Sequence, residues 1–257
     1  MIHTDLDRSG GTRISTDCVR RRGDAAPNAR RRPLPCPRRR LGGRAGADRA
    51  RQTLGLGSGR AVWRVVDRIA ERWPDGPPLR AVVASELTHA RAREAGIEVV
   101  ELDGTFELDV AIDGADEIDR ELRLIKGGGG ALLREKIVVA AARRFVVVAE
   151  TGKLVDRLGE SFRLPVEVAR FAWRDTRRRL AELLPEPQLR TAGDSAFLTD
   201  EGHHILDCAI PPDADVDALG DRLRRIPGVL EHGLFVGMAE QALLGTPDGV
   251  VERLTLR

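Results

Sequence analysis

The sequence predicts an α/β protein, a parallel sheet flanked by helices and followed by a smaller α+β unit, and three observations carry that expectation. From Thr53 onward, short apolar runs alternate with amphipathic stretches, the pattern of strand–helix units around a parallel sheet. The run Phe145 to Ala149 is apolar throughout, as a strand buried on both faces must be. Beyond Pro165 the order changes to strand, helix, longer β segment, helix and strand, which suits an α+β unit.

Taken in order, the first strand ends at Leu56 and runs into Gly57-Ser58-Gly59. A helix from about Ala61 to Arg72 follows, with Val62, Val65, Val66 and Ile69 on one face, and Pro74 to Pro78 closes the unit. Arg80 to Ala84 reads as the second strand, Thr88 to Glu94 as a helix stopped by Gly96, and Glu98 to Leu102 as the third strand. Val110 to Ile112 is the fourth strand. Leu132 to Arg144 reads as a helix entered from Gly127 to Gly130, and Phe145 to Ala149 as the next strand. In the smaller unit the expected elements are Val166 to Phe171, Thr176 to Leu184, Leu189 to Ile210, Val216 to Ile226 and Val229 to Phe235. Asp200-Glu201-Gly202, flanked by Phe197-Leu198 and Ile205-Leu206, reads as a hairpin turn.

A hydrophobic fraction of 42% with 32% charged residues is that of a globular protein, and no run of eighteen apolar residues or secretory h-region is present. The expected location is therefore cytoplasmic, with no membrane partner. Cys18, Cys36 and Cys208 are widely spaced and contain no CxxC pair, which argues against a disulfide framework or a structural zinc site. His3, His89, His203, His204 and His232 do not cluster as ligands and read as locally structural. The net charge of +2 hides an asymmetry, because residues 1–51 hold fourteen Arg against five Asp, a local +9 that leaves about −7 on the rest. That segment has no helical or strand periodicity and no interleaved aromatics, so it reads as a disordered or atypical tail rather than a nucleic-acid-binding arm.

The chemistry concentrates between Asp109 and Lys153. Asp113 and Asp116 lie just past the apolar run Val110-Ala111-Ile112, at the strand end where sites form in open α/β sheets. Lys126 directly precedes four consecutive glycines, whose backbone amides approach an anion closely at the entry to a helix. Glu135 lies in the first turns of that helix, where a partly buried carboxylate suits proton transfer; by spacing alone it reads as a surface Glu paired with Arg134 or Lys136. Only three lysines stand against thirty-nine arginines, so the choice of a compact ammonium at 126 and 153 is chemically selective. Glu117 and Asp119 read as solvated. A DxxD metal site at Asp113 and Asp116 competes with a sugar-hydroxyl role.

The blocks DGADE, LIKGGGGALLREK and VVVAETGKLVDRLG resemble the signature segments of the ribose-5-phosphate isomerase type A family. The likeness continues through LPVEV (164–168), PQLR (187–190), ILDC (205–208), IPGVLEHGLF (226–235) and GTPDGV (245–250), roughly the last four-fifths of the chain. The resemblance implies a Rossmann-like domain of residues 52–163 and 236–257 with an inserted ferredoxin-like unit at 164–235. It implies isomerisation of ribose 5-phosphate and ribulose 5-phosphate through an enediolate, with no metal or other cofactor, in a homodimer or homotetramer. Glu135 falls on the family's general base, Lys126 on its enediolate stabiliser, Asp113 and Asp116 on the groups for ring opening and hydroxyl binding, and Lys153 on a substrate anchor.

The substrate-contacting set expected on this basis is Ser58, Gly59, Arg60, Ala61, Asp113, Gly114, Ala115, Asp116, Lys126, Gly127, Gly128, Gly129 and Lys153. Two departures stand out. The family's hydroxyl-rich GTGST loop is Gly57-Ser58-Gly59-Arg60-Ala61 here, so one hydroxyl and a guanidinium replace several hydroxyls. Residues 1–50 also lack the expected amphipathic helix and its lysine. Ser85-Glu86-Leu87-Thr88 resembles a second loop on the substrate side, with Thr88 as a helix cap. The alternatives kept open are a sugar-phosphate deaminase, a CoA-transferase-like enzyme, or a sugar-phosphate-binding protein with impaired catalysis.

Overall fold

Residues 52–256 are described by the computed structural model; the basic segment, Cys18, Cys36 and His3 lie outside the described residues. The elements run β1 (Gln52–Leu56), α1 (Gly59–Arg72), β2 (Leu79–Val83), α2 (Glu86–Glu94), β3 (Glu98–Val99), β4 (Val110–Asp113), β5 (Glu117–Ile118), β6 (Leu124–Ile125), α3 (Leu132–Ala140) and β7 (Phe145–Glu150). They continue as β8 (Leu164–Val168), α4 (Trp173–Leu180), β9 (Gln188–Leu189), β10 (Thr191–Ala192), β11 (Ser195–Ala196), β12 (His204–Cys208), α5 (Val216–Arg224), β13 (Val229–His232), β14 (Leu234–Phe235), β15 (Gln241–Gly245) and β16 (Val251–Thr255).

Seven strands form one sheet in the order β16-β15-β7-β4-β1-β2-β3, parallel except for β16 at its edge. Successive strands step outward from β1 to β3, then resume on the other side of β1 at β4. The order therefore reverses between β1 and β4, and the crevice beyond their carboxyl ends is where such sheets bind ligands. Leu56, Val62 and Val66 pack on one side of this sheet with Ala81 and Ile97, while Phe145, Val147 and Ala242 belong to a second apolar cluster.

A second, antiparallel sheet, β13-β8-β12-β9, carries α4 and α5, whose Leu180, Leu219 and Leu223 pack with Val166, Val168 and Leu206. All four strands fall between Leu164 and His232. A small three-stranded sheet, β14-β6-β5, pairs Leu234 with Ile125 and Glu117 with Ile125.

Several expected bounds shift for identifiable reasons. The helix expected to reach Arg144 ends at Ala140, because the Arg143 amide donates to the Leu108 carbonyl and Ala142 bridges Leu108, turning the chain into β7. The strand expected over Val166 to Phe171 is Leu164–Val168. Pro165 is tolerated near its start, while Phe171 is 91% exposed ahead of Ala172, whose φ is +52°. The helix expected from Thr176 spans Trp173–Leu180, and the third strand pairs only at Glu98–Val99.

The hairpin turn lies at Gly193-Asp194 between β10 and β11, not at Asp200-Glu201-Gly202. Leu206 is fully buried opposite Leu189, so β12 pairs with β8 and β9 rather than with Phe197-Leu198, and Asp200 to Gly202 form a turn closed by Thr199 and His203. The expected single strand Val229 to Phe235 breaks at Gly233. A Cβ there would lie 2.2 Å from the Lys126 carbonyl, so the close approach of the two chains requires glycine.

Candidate active site

At the reversal between β1 and β4, a cleft of about 280 Å³ opens. From the first glycine loop it is lined by Ser58, Gly59, Arg60 and Ala61, and from the end of β4 by Gly114, Ala115 and Asp116. Lys126, Gly127, Gly128, Gly129 and Glu135 line a further wall, and Lys153 reaches it from the turn after β7. These are all the expected site residues except Asp113, which is 1% exposed and sits behind the cleft wall.

Lys126 and Glu135 are each 3% exposed. The Lys126 Nζ stands 3.2 Å from Glu135 Oε2 and 2.9 Å from Asp113 Oδ2, and donates to the Gly114 carbonyl at 2.9 Å. Ser58 is the N-cap residue of α1 by its backbone, yet its hydroxyl makes no capping bond and donates instead to Glu135 Oε1 at 2.5 Å. The first-turn amides of α1 therefore line the cleft without a side-chain partner, a ready setting for an anion. The surface alternative for Glu135 does not hold. Arg134 pairs with Glu86, Asp200 and Glu201, while Lys136 points to Glu231.

Burial pushes the Asp113 carboxyl up to about 7, the Glu135 charge adds to that rise, and the Lys126 ammonium opposes it. Burial also raises Asp116, against the hydrogen bond that its Oδ2 accepts from the Gly128 amide at 2.7 Å. For Lys126, burial acts downward, but the Asp113 and Glu135 carboxylates outweigh it and hold the ammonium above its ordinary value. The site thus places a buried, charged ammonium beside two aspartates whose proton affinities burial raises.

Asp113 accepts hydrogen bonds from the Ser58 amide at 3.2 Å and the Gly114 amide at 2.7 Å, tying the first glycine loop to β4. A Cβ on Gly57 would lie 1.8 Å from the Asp113 carboxyl carbon. Gly57→Ala should therefore lower stability by about 1–3 kcal/mol in urea denaturation, because the Asp113 carboxylate must leave its bonds to the Ser58 and Gly114 amides and to Lys126 to make room. A change below about 0.5 kcal/mol would contradict this packing.

Glu117 and Asp119, expected in solvent, are both fully buried. Glu117 accepts from the amides of Gly159, Ser161 and Phe162 and from the Ser161 hydroxyl, which fixes the chain after Lys153. Asp119 accepts from the amides of Glu121 and Arg123 and from Arg123 Nε at 2.6 Å. Buried carboxylates are tolerated when saturated in this way. His203 and His232 have local partners: His203 Nδ1 lies 2.8 Å from Glu167, and His232 Nδ1 accepts from the Leu234 amide.

Ser85 and Leu87, from the segment that resembles a second substrate-side loop, do line the cleft, whereas sequence reasoning missed Trp63, Val148, Ala149 and Glu150. Trp63 Nε1 donates to the Thr88 hydroxyl at 3.2 Å, and Ser85 rather than Thr88 caps α2. It also missed Arg190, whose Nη1 donates to the carbonyls of Gly127 and Gly128 at 2.7 and 3.1 Å while a bidentate pair with Asp207 holds the guanidinium. Both residues fall inside the blocks PQLR and ILDC, so a signal was present without a role attached. Among the described residues, no group of three or more His, Cys, Asp or Glu is disposed to hold a metal ion, and no helix is long and apolar enough to cross a membrane.

The sequence model of ribose 5-phosphate isomerase A (phosphoriboisomerase A) matches residues 80–249. The ribose-5-phosphate isomerase A of Roseiflexus sp. (strain RS-1) is 51% identical over 203 residues, covering 78% of this chain and 87% of that protein. The solved ribose 5-phosphate isomerase from Plasmodium falciparum aligns with a TM-score of 0.77 at 32% identity, covering 80% of this chain and 92% of the other. A D-ribose-5-phosphate isomerase in complex with phospho-erythronic acid aligns with a TM-score of 0.76 at 33% identity, covering 80% and 91%. The α/β fold is thus that of these structures.

Proposed function

The chain belongs to the ribose 5-phosphate isomerase A family, and we propose that Glu135 carries the proton of this family's reaction while Lys126 balances the charge that develops. The activity is the interconversion of D-ribose 5-phosphate and D-ribulose 5-phosphate, an aldose–ketose isomerisation of the pentose phosphate pathway. In the aldose-to-ketose direction the C2–H bond breaks and its proton passes to the Glu135 carboxylate. The electron pair forms the enediolate, and the carboxylic acid returns the proton to C1 as the hydroxyl proton moves from O2 to O1.

The single observation that carries this reading is the triad of buried Glu135, buried Lys126 and half-buried Ser58. One carboxylate oxygen is held by a hydroxyl and the other faces an ammonium at 3.2 Å, all on the cleft wall. A cation fixed in a buried position stabilises a developing oxyanion without reorganisation, and the glycine loop pinned by Arg190 adds backbone donors. Asp116, at the cleft surface, is the acid for hydroxyls and ring opening. Asp113, behind it, orients Lys126 and the Ser58 loop. The phosphate falls to the first turn of α1 with Arg60, and to Lys153. The resemblance to a D-ribose-5-phosphate isomerase in complex with phospho-erythronic acid, a phosphorylated hydroxy acid, supports a cleft that takes a phosphorylated, hydroxylated chain.

Residues 52–163 with 236–257 are read as the catalytic domain and 164–235 as an insert that braces it through Arg190. The same proposal extends to a cytoplasmic homodimer or homotetramer. The test is direct: chelator-treated full-length protein should convert ribose 5-phosphate to ribulose 5-phosphate in metal-free buffer. Thermal stabilisation by ribose 5-phosphate without turnover would instead support a binding protein with impaired catalysis.

A further inference from the structure

Two of the three lysines line the cleft; the third, Lys136, does not, yet it is 8% exposed and follows Glu135 on α3. Consecutive helical residues diverge by about 100°, so the two side chains leave α3 in different directions. The Lys136 Nζ donates to Glu231 Oε1 at 2.8 Å, to the His232 carbonyl at 2.6 Å and to the Leu234 carbonyl at 2.9 Å. Three N–H donors meet three acceptors, which saturates the ammonium. His232 and Leu234 flank Gly233, whose carbonyl accepts the Lys126 amide at 2.9 Å, and Leu234 pairs with Ile125. The buried ring of Phe235 lies close to both ammoniums, its centroid 5.5 Å from Lys126 Nζ and 4.7 Å from Lys136 Nζ. A closed circuit results, running from Lys126 to Glu135, along one peptide to Lys136, across to 232–234 and back to the Lys126 backbone.

We infer that Lys136 is a positioning residue for the isomerisation: by clamping α3 to the β13–β14 corner it sets the separation between the Glu135 carboxylate and the Lys126 ammonium. The inference rests on the roles proposed above for those two groups. It accounts for a lysine at this position in a chain that otherwise uses thirty-nine arginines. A planar guanidinium cannot converge three donors on such closely spaced oxygens in the same volume. Burial brings the Lys136 pKa down to about 8, partly opposed by Glu231.

Lys136→Met, near in length and without donors, should lower kcat about 10- to 100-fold with KM within about twofold, since small misplacements of reacting groups act on the chemical step. The isotope effect with C2-deuterated ribose 5-phosphate should rise, a readout that general destabilisation does not move. A folded Lys136→Met protein with wild-type kcat and isotope effect would overturn the inference. Should that variant fail to fold, Glu231→Ala, which removes the side-chain acceptor and keeps both carbonyl acceptors, should lower kcat with the same rise in isotope effect, and wild-type values there would overturn it equally. Glu135→Gln measured alongside separates the two readings. An inactive Glu135→Gln beside a normal Lys136→Met rejects the clamp alone, whereas an active Glu135→Gln rejects the base on which the clamp depends.

Discussion

Glu135→Gln is expected to lower kcat about 10³-fold, within the range contributed by a positioned general base, and to leave KM within a few-fold. The fold should persist, because the amide fits the existing partners in one orientation. Its oxygen faces Lys126, which only donates, and its NH₂ faces Ser58, whose hydroxyl can turn to accept. Removing the charge also removes the second cause of the raised Asp113 pKa, so Asp113 should ionise at lower pH in the variant than in the parent. The decisive measurement pairs the steady-state rate with exchange of the C2 hydrogen into deuterated solvent. Both should fall together if the carboxylate removes that hydrogen. Turnover within about tenfold of the parent in a correctly folded variant would assign the base elsewhere.

Glu135, a surface residue by spacing alone, was singled out only by the resemblance of LIKGGGGALLREK. The place of Lys126 was legible because it directly precedes the glycine run, where a strand end, a glycine loop and a helix start converge in an open parallel sheet. The distinction between Asp113 and Asp116 was not. They are three residues apart beyond one strand, and only the loop carrying Ser58, fifty-five residues earlier, decides which is covered. Glu117 and Asp119 show the same limit. Glu117 is buried because amides 42 to 45 residues further on wrap around it, and no local pattern announces such partners. Asp119 is closed by its own turn and by Arg123, four residues away, which spacing alone could not tell from an exposed ion pair.

The smaller unit was read in outline and misread in register for a related reason. Turn residues occur at both 193–194 and 200–202, so turn chemistry permits either hairpin. The choice is made by burial of Ile205 and Leu206 against β8 and β9, which is a tertiary fact. Arg190 and Asp207 became functional only through that register, since it presents the guanidinium to the Gly127 and Gly128 carbonyls.

Lys126→Met should be costly twice over. Catalytically it removes the cation facing the enediolate, and a loss of about 10²- to 10³-fold in kcat is expected by analogy with deletion of one oxyanion donor. Structurally it leaves Asp113 and Glu135, 1% and 3% exposed, without their common counter-charge. Breaking a buried pair from one side costs about 3–5 kcal/mol when the remaining charge must stay ionised. The cost must therefore depend on pH, and its sign follows from Asp113. A carboxyl whose folded pKa, about 7, exceeds the unfolded 3.8 holds its proton more tightly when folded, so its contribution is fully present below the unfolded value and is lost as pH rises through the folded one. Lys126 opposes that rise in the parent, so its removal extends the decline to higher pH. Urea denaturation should accordingly find the variant far less stable than the parent near pH 8.5 and closer to it near pH 5, where the orphaned Asp113 takes up a proton at little cost. An equal deficit at both pH values would mean that the ammonium is not what opposes the rise of the Asp113 pKa.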